Sequence, residues 1–171
     1  MRFARITYAV ILSGTAAWCA LIVVAPAASS SAGFVAFGGI LYAFFSPLCH
    51  QIDARSFHLF GGPLAVCGRC SAIYFGFLCG TVAYPFASSL IRGGRPGRMF
   101  LLIAVVPMLL DVVLEVTGIH ESSNALRAVT GAWFGTLLPF LVIPGAVEGV
   151  SQLLTKPNSY SIQSEKGPID A

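Results

Sequence analysis

Apolar residues in this chain run in long unbroken blocks separated by short polar punctuation. They do not alternate as in half-buried strands, and they do not mark one stripe of a surface helix. Crossing about 30 Å of hydrocarbon takes about 20 such residues. Five blocks approach that length, at about 6–25, 34–48, 71–91, 99–119 and 126–150. The first, Ile6 to Ala25, is free of charge, follows Arg2 and Arg5, and ends in Ala25-Pro26-Ala27-Ala28, which resembles a signal-cleavage region. It exceeds the roughly 7–15 apolar residues of a signal peptide and is read as a retained helix. The second, Phe34 to Leu48, is short and holds Gly38, Gly39 and Pro47, which places the residues after it at the headgroup boundary. Pro139 and Pro144 are expected to kink the fifth.

The pattern predicts an all-α integral membrane protein. It is a single domain over residues 1–150, a bundle of about five transmembrane helices with a Cys/His-containing loop between helices 2 and 3. Residues 151–171, rich in Ser, Pro, Gln and Lys, read as a polar disordered tail. Composition agrees: 56% of residues are hydrophobic, 10% are charged and the mean hydropathy is +0.82. No soluble fold of 171 residues hides that much apolar surface. The expected location is the inner (plasma) membrane, multi-pass, with the lipid bilayer as the main partner. No basic run interleaves with aromatics, which excludes nucleic acid as a partner. A membrane-protein partner or homodimer stays open, because Gly76/Gly80, Gly131/Gly135 and Gly145/Gly149 have the small-xxx-small spacing of close helix contacts. Packing within one bundle is the simpler reading. With five crossings the basic residues divide five against five between the two sides. Dominance of the first helix would then put the N-terminus and the cysteine loop on the cytoplasmic side.

Candidate chemistry concentrates between the second and third blocks. Cys49, His50 and Gln51 are followed by Cys67-Gly68-Arg69-Cys70, so three of the five cysteines fall within 22 residues. A C-x-x-C turn brings two sulfurs to one ion, and two further ligands complete a tetrahedron. Cys67 and Cys70 supply the pair, Cys49 a third sulfur, and His50 or His58 a fourth ligand. Zinc is the expected metal; an iron–sulfur group would use the same sulfurs, and without a metal they would be a structural disulfide or inert thiols. The alternative is thiol–disulfide exchange by Cys67 and Cys70, with Arg69 lowering a thiol pKa. Cys19 and Cys79, inside apolar blocks, read as core residues. Asp53 and Arg55 read as a solvated or helix-capping pair, His120 as interfacial, and Trp18 and Trp133 as packing anchors.

Ionisable residues within a span are costly and normally paired. Asp111 and Glu115 lie on one face of the fourth block, and Arg127 begins the fifth shortly after Asn124. They are expected either to lock two helices together or to form a polar intramembrane pocket. In a third reading, a small transporter or assembly subunit, Asp111 and Arg127 form a relay.

Cys49-His50-Gln51, Arg55-Ser56-Phe57 and Cys67-x-Arg69-Cys70-x-x-Ile73-Tyr74-x-Gly76 resemble the signature of a family of small predicted membrane proteins of bacteria and archaea, catalogued as a domain of unknown function. Pro107 with Asp111, and Ser122, Asn124, Arg127, Thr130, Gly131 and Gly135, resemble its second motif. Ser71 and Ala72 depart from it, standing where the family has Thr-Gly. The resemblance implies that the cysteine loop and the Asp111, Asn124 and Arg127 set form one site. It also favours His50 over His58 as the fourth ligand, since His58 lies outside the shared pattern. It brings no reaction. The combined expectation is a metal site of Cys49, His50, Cys67 and Cys70, with Arg55 and Arg69 as cations balancing thiolate charge, over a pocket of Asp111, Asn124 and Arg127.

Overall fold

A computed structural model describes residues 2–90, 97–119 and 121–155. The expected disordered tail, His120 and the end of the third block at Ile91 fall wholly or largely outside these residues. The chain forms α1 (Arg2–Ser29), α2 (Val35–Phe45), a 3-10 turn (Asp53–Arg55), a hairpin of β1 (His58–Leu59) and β2 (Gly62–Pro63), α3 (Gly68–Leu90), α4 (Arg98–Val116), α5 (Asn124–Leu137) and α6 (Pro139–Thr155). The all-helical membrane class is as the apolar blocks dictate.

Among the described residues four helical stretches are long and apolar enough to cross a membrane: Phe3–Ser29, Gly68–Ala87, Met99–Val116 and Asn124–Gln152. The second block yields only the 11 residues of α2. At 1.5 Å per residue that is about 16 Å, half a bilayer. Pro47 and the turn through Ser46 end it, and the chain leaves as a loop. The fifth block is one long helix interrupted at Leu138 and Pro139, where a proline begins α6 at the position that needs no amide hydrogen. Pro144 lies inside α6 without ending it.

Helix directions follow from the cross-contacts. The Tyr8 hydroxyl donates to Thr81 O at 3.1 Å, Trp18 meets Tyr74 with ring centroids 5.8 Å apart, and Pro26 lies beside Gly62, just ahead of α3. Hence α1 and α3 are antiparallel. The cysteine loop therefore sits at the end of the bundle opposite the N-terminus, which corrects the five-crossing reading that put both on one side.

Among the described residues the α3–α5 seam brings two helix backbones very close together. A Cβ on Gly76 would come within 2.7 Å of Ala132 O, and one on Gly131 within 2.7 Å of Arg69 O. Cβ atoms on Gly80 and Gly135 would collide with the carbonyl oxygens of Thr136 and Ile73. Two of the three small-residue pairs thus join helices within one bundle, in parallel register. Gly145 and Gly149 face open space. The opposite packing face holds Ile22, Ala25, Leu41, Phe45, Cys49 and Leu64 to Val66, with Trp18 stacked edge-on to Phe45 and Tyr74. Trp133 anchors α4 by donating to Ile103 O at 3.0 Å.

Candidate metal centre

Two short devices bring the cysteines together. At the end of α2 the amide of Cys49 still donates to Phe45 O at 3.1 Å. The chain then reverses at Gln51, whose φ of 50° is a left-handed conformation rarely adopted by a residue with a side chain. Both hydrogens of the Gln51 amide are used: Nε2 donates to Tyr42 O and to Ala65 O, each at 2.8 Å. One side chain thus ties α2 to the segment between β2 and Cys67. The Tyr42 hydroxyl adds a bond to Pro63 O. Between the halves, the hairpin turns through Phe60 and Gly61, both at positive φ as a two-residue hairpin turn requires.

Cys67 immediately precedes α3 and Cys70 lies in its first turn, with Ser71 N donating to Cys67 O at 2.9 Å. The Cys67 amide donates to Cys49 Sγ at 3.1 Å. The sulfurs of Cys49, Cys67 and Cys70 all lie within 4.8 Å of one another, and all three are free thiols. Cys49 is buried and the other two are half-buried. The Cys70 thiol is the main hydrogen-bond partner lowering the Cys67 pKa, which falls to about 5 although burial pushes it up. The Cys70 and Arg69 amides and the Cys49 thiol add to the lowering. A cavity of about 370 Å³ opens beside the sulfurs, walled by Leu48, His50, Ile52 and Arg55.

His50 lies on that wall, exposed, outside the tight three-sulfur group. His58 is occupied: its Nε2 lies 3.0 Å from Asp53 Oδ1. Asp53 and Arg55 are therefore not a pair, because Arg55 turns away toward Glu115. Cys19 is buried among apolar residues of α1, as expected of a core residue, whereas Cys79 is exposed on α3, which corrects the core reading for it.

The charged residues converge under the cysteines. Glu115 receives three guanidinium groups: Arg55 Nη1 at 3.0 Å, Arg69 Nη2 at 2.9 Å and Arg127 Nη2 at 2.8 Å. Arg69 Nη2 also reaches Asp111 Oδ2 at 2.5 Å. Asp111 accepts from Ser122 Oγ at 2.7 Å and Thr130 Oγ1 at 3.3 Å. Asn124 accepts from Arg127 Nη1 at 3.2 Å and donates to Ala54 O at 3.1 Å, joining this cluster to the cysteine loop. Asp111, Asn124, Arg127, Arg55 and Arg69 thus form one assembly with the sulfurs above it. Arg55 and Arg69 direct their guanidiniums to carboxylates. Residue types alone did not single out Gln51, Ser122 or Thr130; the only signal was their place in the two motifs.

A family described as "Predicted membrane protein (DUF2085)" matches residues 49–141. That window begins at Cys49 and contains every residue of the assembly. An uncharacterized protein of Methanocaldococcus jannaschii is 42% identical over 104 residues, which is 61% of this chain and 67% of the relative. An uncharacterized protein of Methanothermobacter thermautotrophicus is 33% identical over 87 residues, 51% of this chain and 77% of the relative. No solved structure matches the chain.

Proposed function

The chain belongs to the DUF2085 family of predicted membrane proteins, and from that premise we propose that it carries a metal–thiolate centre, of the zinc type, at one end of its helical bundle. The observation that carries this is the convergence of three sulfurs, from two separate segments, to within 4.8 Å of one another. Zn–S bonds of about 2.3 Å in a tetrahedron put sulfurs roughly 3.8 Å apart, inside that limit. Cys49, Cys67 and Cys70 are the ligands, and His50, on the wall of the adjoining cavity, is the candidate for the fourth place.

The neighbouring charges fit this reading: among the described residues Arg55, Arg69 and Arg127 outnumber the carboxylates they meet, Asp111 and Glu115, by one, and three thiolates around a divalent ion would carry one negative charge. Such an ion would supply Lewis acidity or ligand exchange only if its fourth place stayed open; with His50 in that place the centre would be a closed, structural one. The protein groups do the rest. Gln51 ties the Cys49 turn to the segment before Cys67, the Cys70 thiol and then the Cys70 and Arg69 amides favour the Cys67 thiolate, and Leu48 and Ile52 wall the cavity.

A second reading has its own observation. The depressed pKa of Cys67 beside the Cys70 thiol is what a thiol–disulfide exchange pair needs. Elemental analysis of the purified protein separates the two. Stoichiometric zinc or iron that is lost in Cys67→Ser is the expected result. A metal-free protein with a reducible Cys67–Cys70 disulfide would overturn the metal centre in favour of exchange chemistry.

A further inference from the structure

We infer that the cysteine end of the bundle faces the non-cytoplasmic side of the membrane, so that Cys49, Cys67 and Cys70 meet their metal or thiol partner from that side. The identity of the partner rests on the metal–thiol reading above; the sidedness does not. Antiparallel packing of α1 against α3, shown by Tyr8 at Thr81 and Trp18 at Tyr74, requires that the segment between them return to the side it left. The half-length α2 enters and does not cross. Non-spanning helices of this kind are stable where they pack against protein, as α2 does through Leu41 and Phe45 against α1.

With α2 removed from the crossings, the basic residues no longer divide evenly. The N-terminal end of the bundle carries Arg2 and Arg5. To these are added Arg92, Arg95 and Arg98, in and at the edge of the α3–α4 connection, and Lys156 and Lys166 after α6. The cysteine end carries Arg55, Arg69 and Arg127. The count becomes seven against three. All three at the cysteine end are ion-paired to Glu115, which weakens them further as topological determinants. Lys and Arg within about 15–20 residues of the span ends set orientation, and the excess side stays in the cytoplasm. The N-terminus, the α3–α4 connection and the C-terminus are cytoplasmic; the thiol cluster is not.

The test uses a membrane-impermeant maleimide on intact cells, counting labels per protein by mass against the parent chain. Leu59→Cys, in the exposed hairpin beside the cluster, is expected to gain one label in intact cells. Gly94→Cys, in the α3–α4 connection, is expected to gain its label only after permeabilisation. A fluorescent protein fused after Ala171 is expected to mature and fluoresce. Labelling of Gly94→Cys in intact cells, or protection of Leu59→Cys until permeabilisation, overturns the assignment. Phe60→Cys replaces Leu59→Cys if the latter fails to fold. Replacing Arg92, Arg95 and Arg98 together by Gln should give a mixed labelling pattern; an unchanged pattern refutes the charge argument. None of these readouts depends on bound metal, so a metal-free protein leaves the result intact.

Discussion

Glu115→Gln tests whether the charge cluster holds α4 to the bundle. Among the spanning stretches α4 is the least buried, with 11% of the residues of Met99–Val116 inside the protein. Its polar ties run through Asp111 and Glu115, with Trp133 as a further anchor. Glu115 is 15% exposed, Arg69 17% and Arg127 11%, whereas Arg55 is 50% exposed. Opposite charges at 4 Å attract by about 4 kcal/mol at an effective dielectric of 20, before desolvation is subtracted. Removing one partner of a buried pair costs about 3–5 kcal/mol, because the other charge stays buried and unpaired. Glu115→Gln leaves Arg69 with Asp111 and Arg127 with the neutral Asn124, so a loss in that range is expected. Arg55→Ala, which removes a half-exposed pair, should cost about 0.2–1 kcal/mol. Reversible unfolding in mixed micelles, followed by circular dichroism, measures both. Adding Arg127→Gln to Glu115→Gln should recover part of the loss, since the stranded cation is then gone. A Glu115→Gln protein within about 1 kcal/mol of wild type would refute the reasoning, as would equal losses for Glu115→Gln and Arg55→Ala.

Gln51→Glu keeps the length of the side chain but sets a carboxylate against the carbonyls of Tyr42 and Ala65; cobalt titration, read on the thiolate charge-transfer band, should show about 10- to 100-fold weaker binding, and wild-type affinity would remove Gln51 from its positioning role. Gly135→Ala drives a methyl group into the Ile73 carbonyl and should cost about 1–3 kcal/mol, while Gly149→Ala, in open space, should stay within about 0.5 kcal/mol; the same unfolding assay ranks them. In metal-free protein Cys67, with its pKa depressed to about 5, remains thiolate well below neutrality. Iodoacetamide at pH 6 should therefore alkylate it ahead of an ordinary cysteine, whose pKa is about 8.5, and reactivity should fall only as pH drops toward 5. Modification that waits for pH 8 would contradict the hydrogen bonding around it.

Linear sequence determined the class of this protein and pointed to the three cysteines and the Asp111, Glu115 and Arg127 charges, but not, by residue type alone, to Gln51, Ser122 or Thr130. Apolar blocks report helices because lipid demands an apolar surface wherever a helix crosses, and that demand is local. Cys49, Cys67 and Cys70 stand out because three thiols crowd one short connection, and the carboxylates of Asp111 and Glu115 because such groups are costly in an apolar helix and persist only with partners. Which partners they take is not local. Arg55 sits two residues from Asp53 yet pairs with Glu115, and Asp53 takes His58, because the 3-10 turn sends the two side chains opposite ways. Gln51 was legible only as a letter in a motif, since its role depends on two carbonyls, 9 and 14 residues away, being within reach of one nitrogen. Only the tertiary structure decided the topology. Hydropathy registers α2 as an apolar block but carries no sign of whether it crosses. The antiparallel packing of α1 on α3 places the thiol cluster at the end of the bundle opposite the N-terminus.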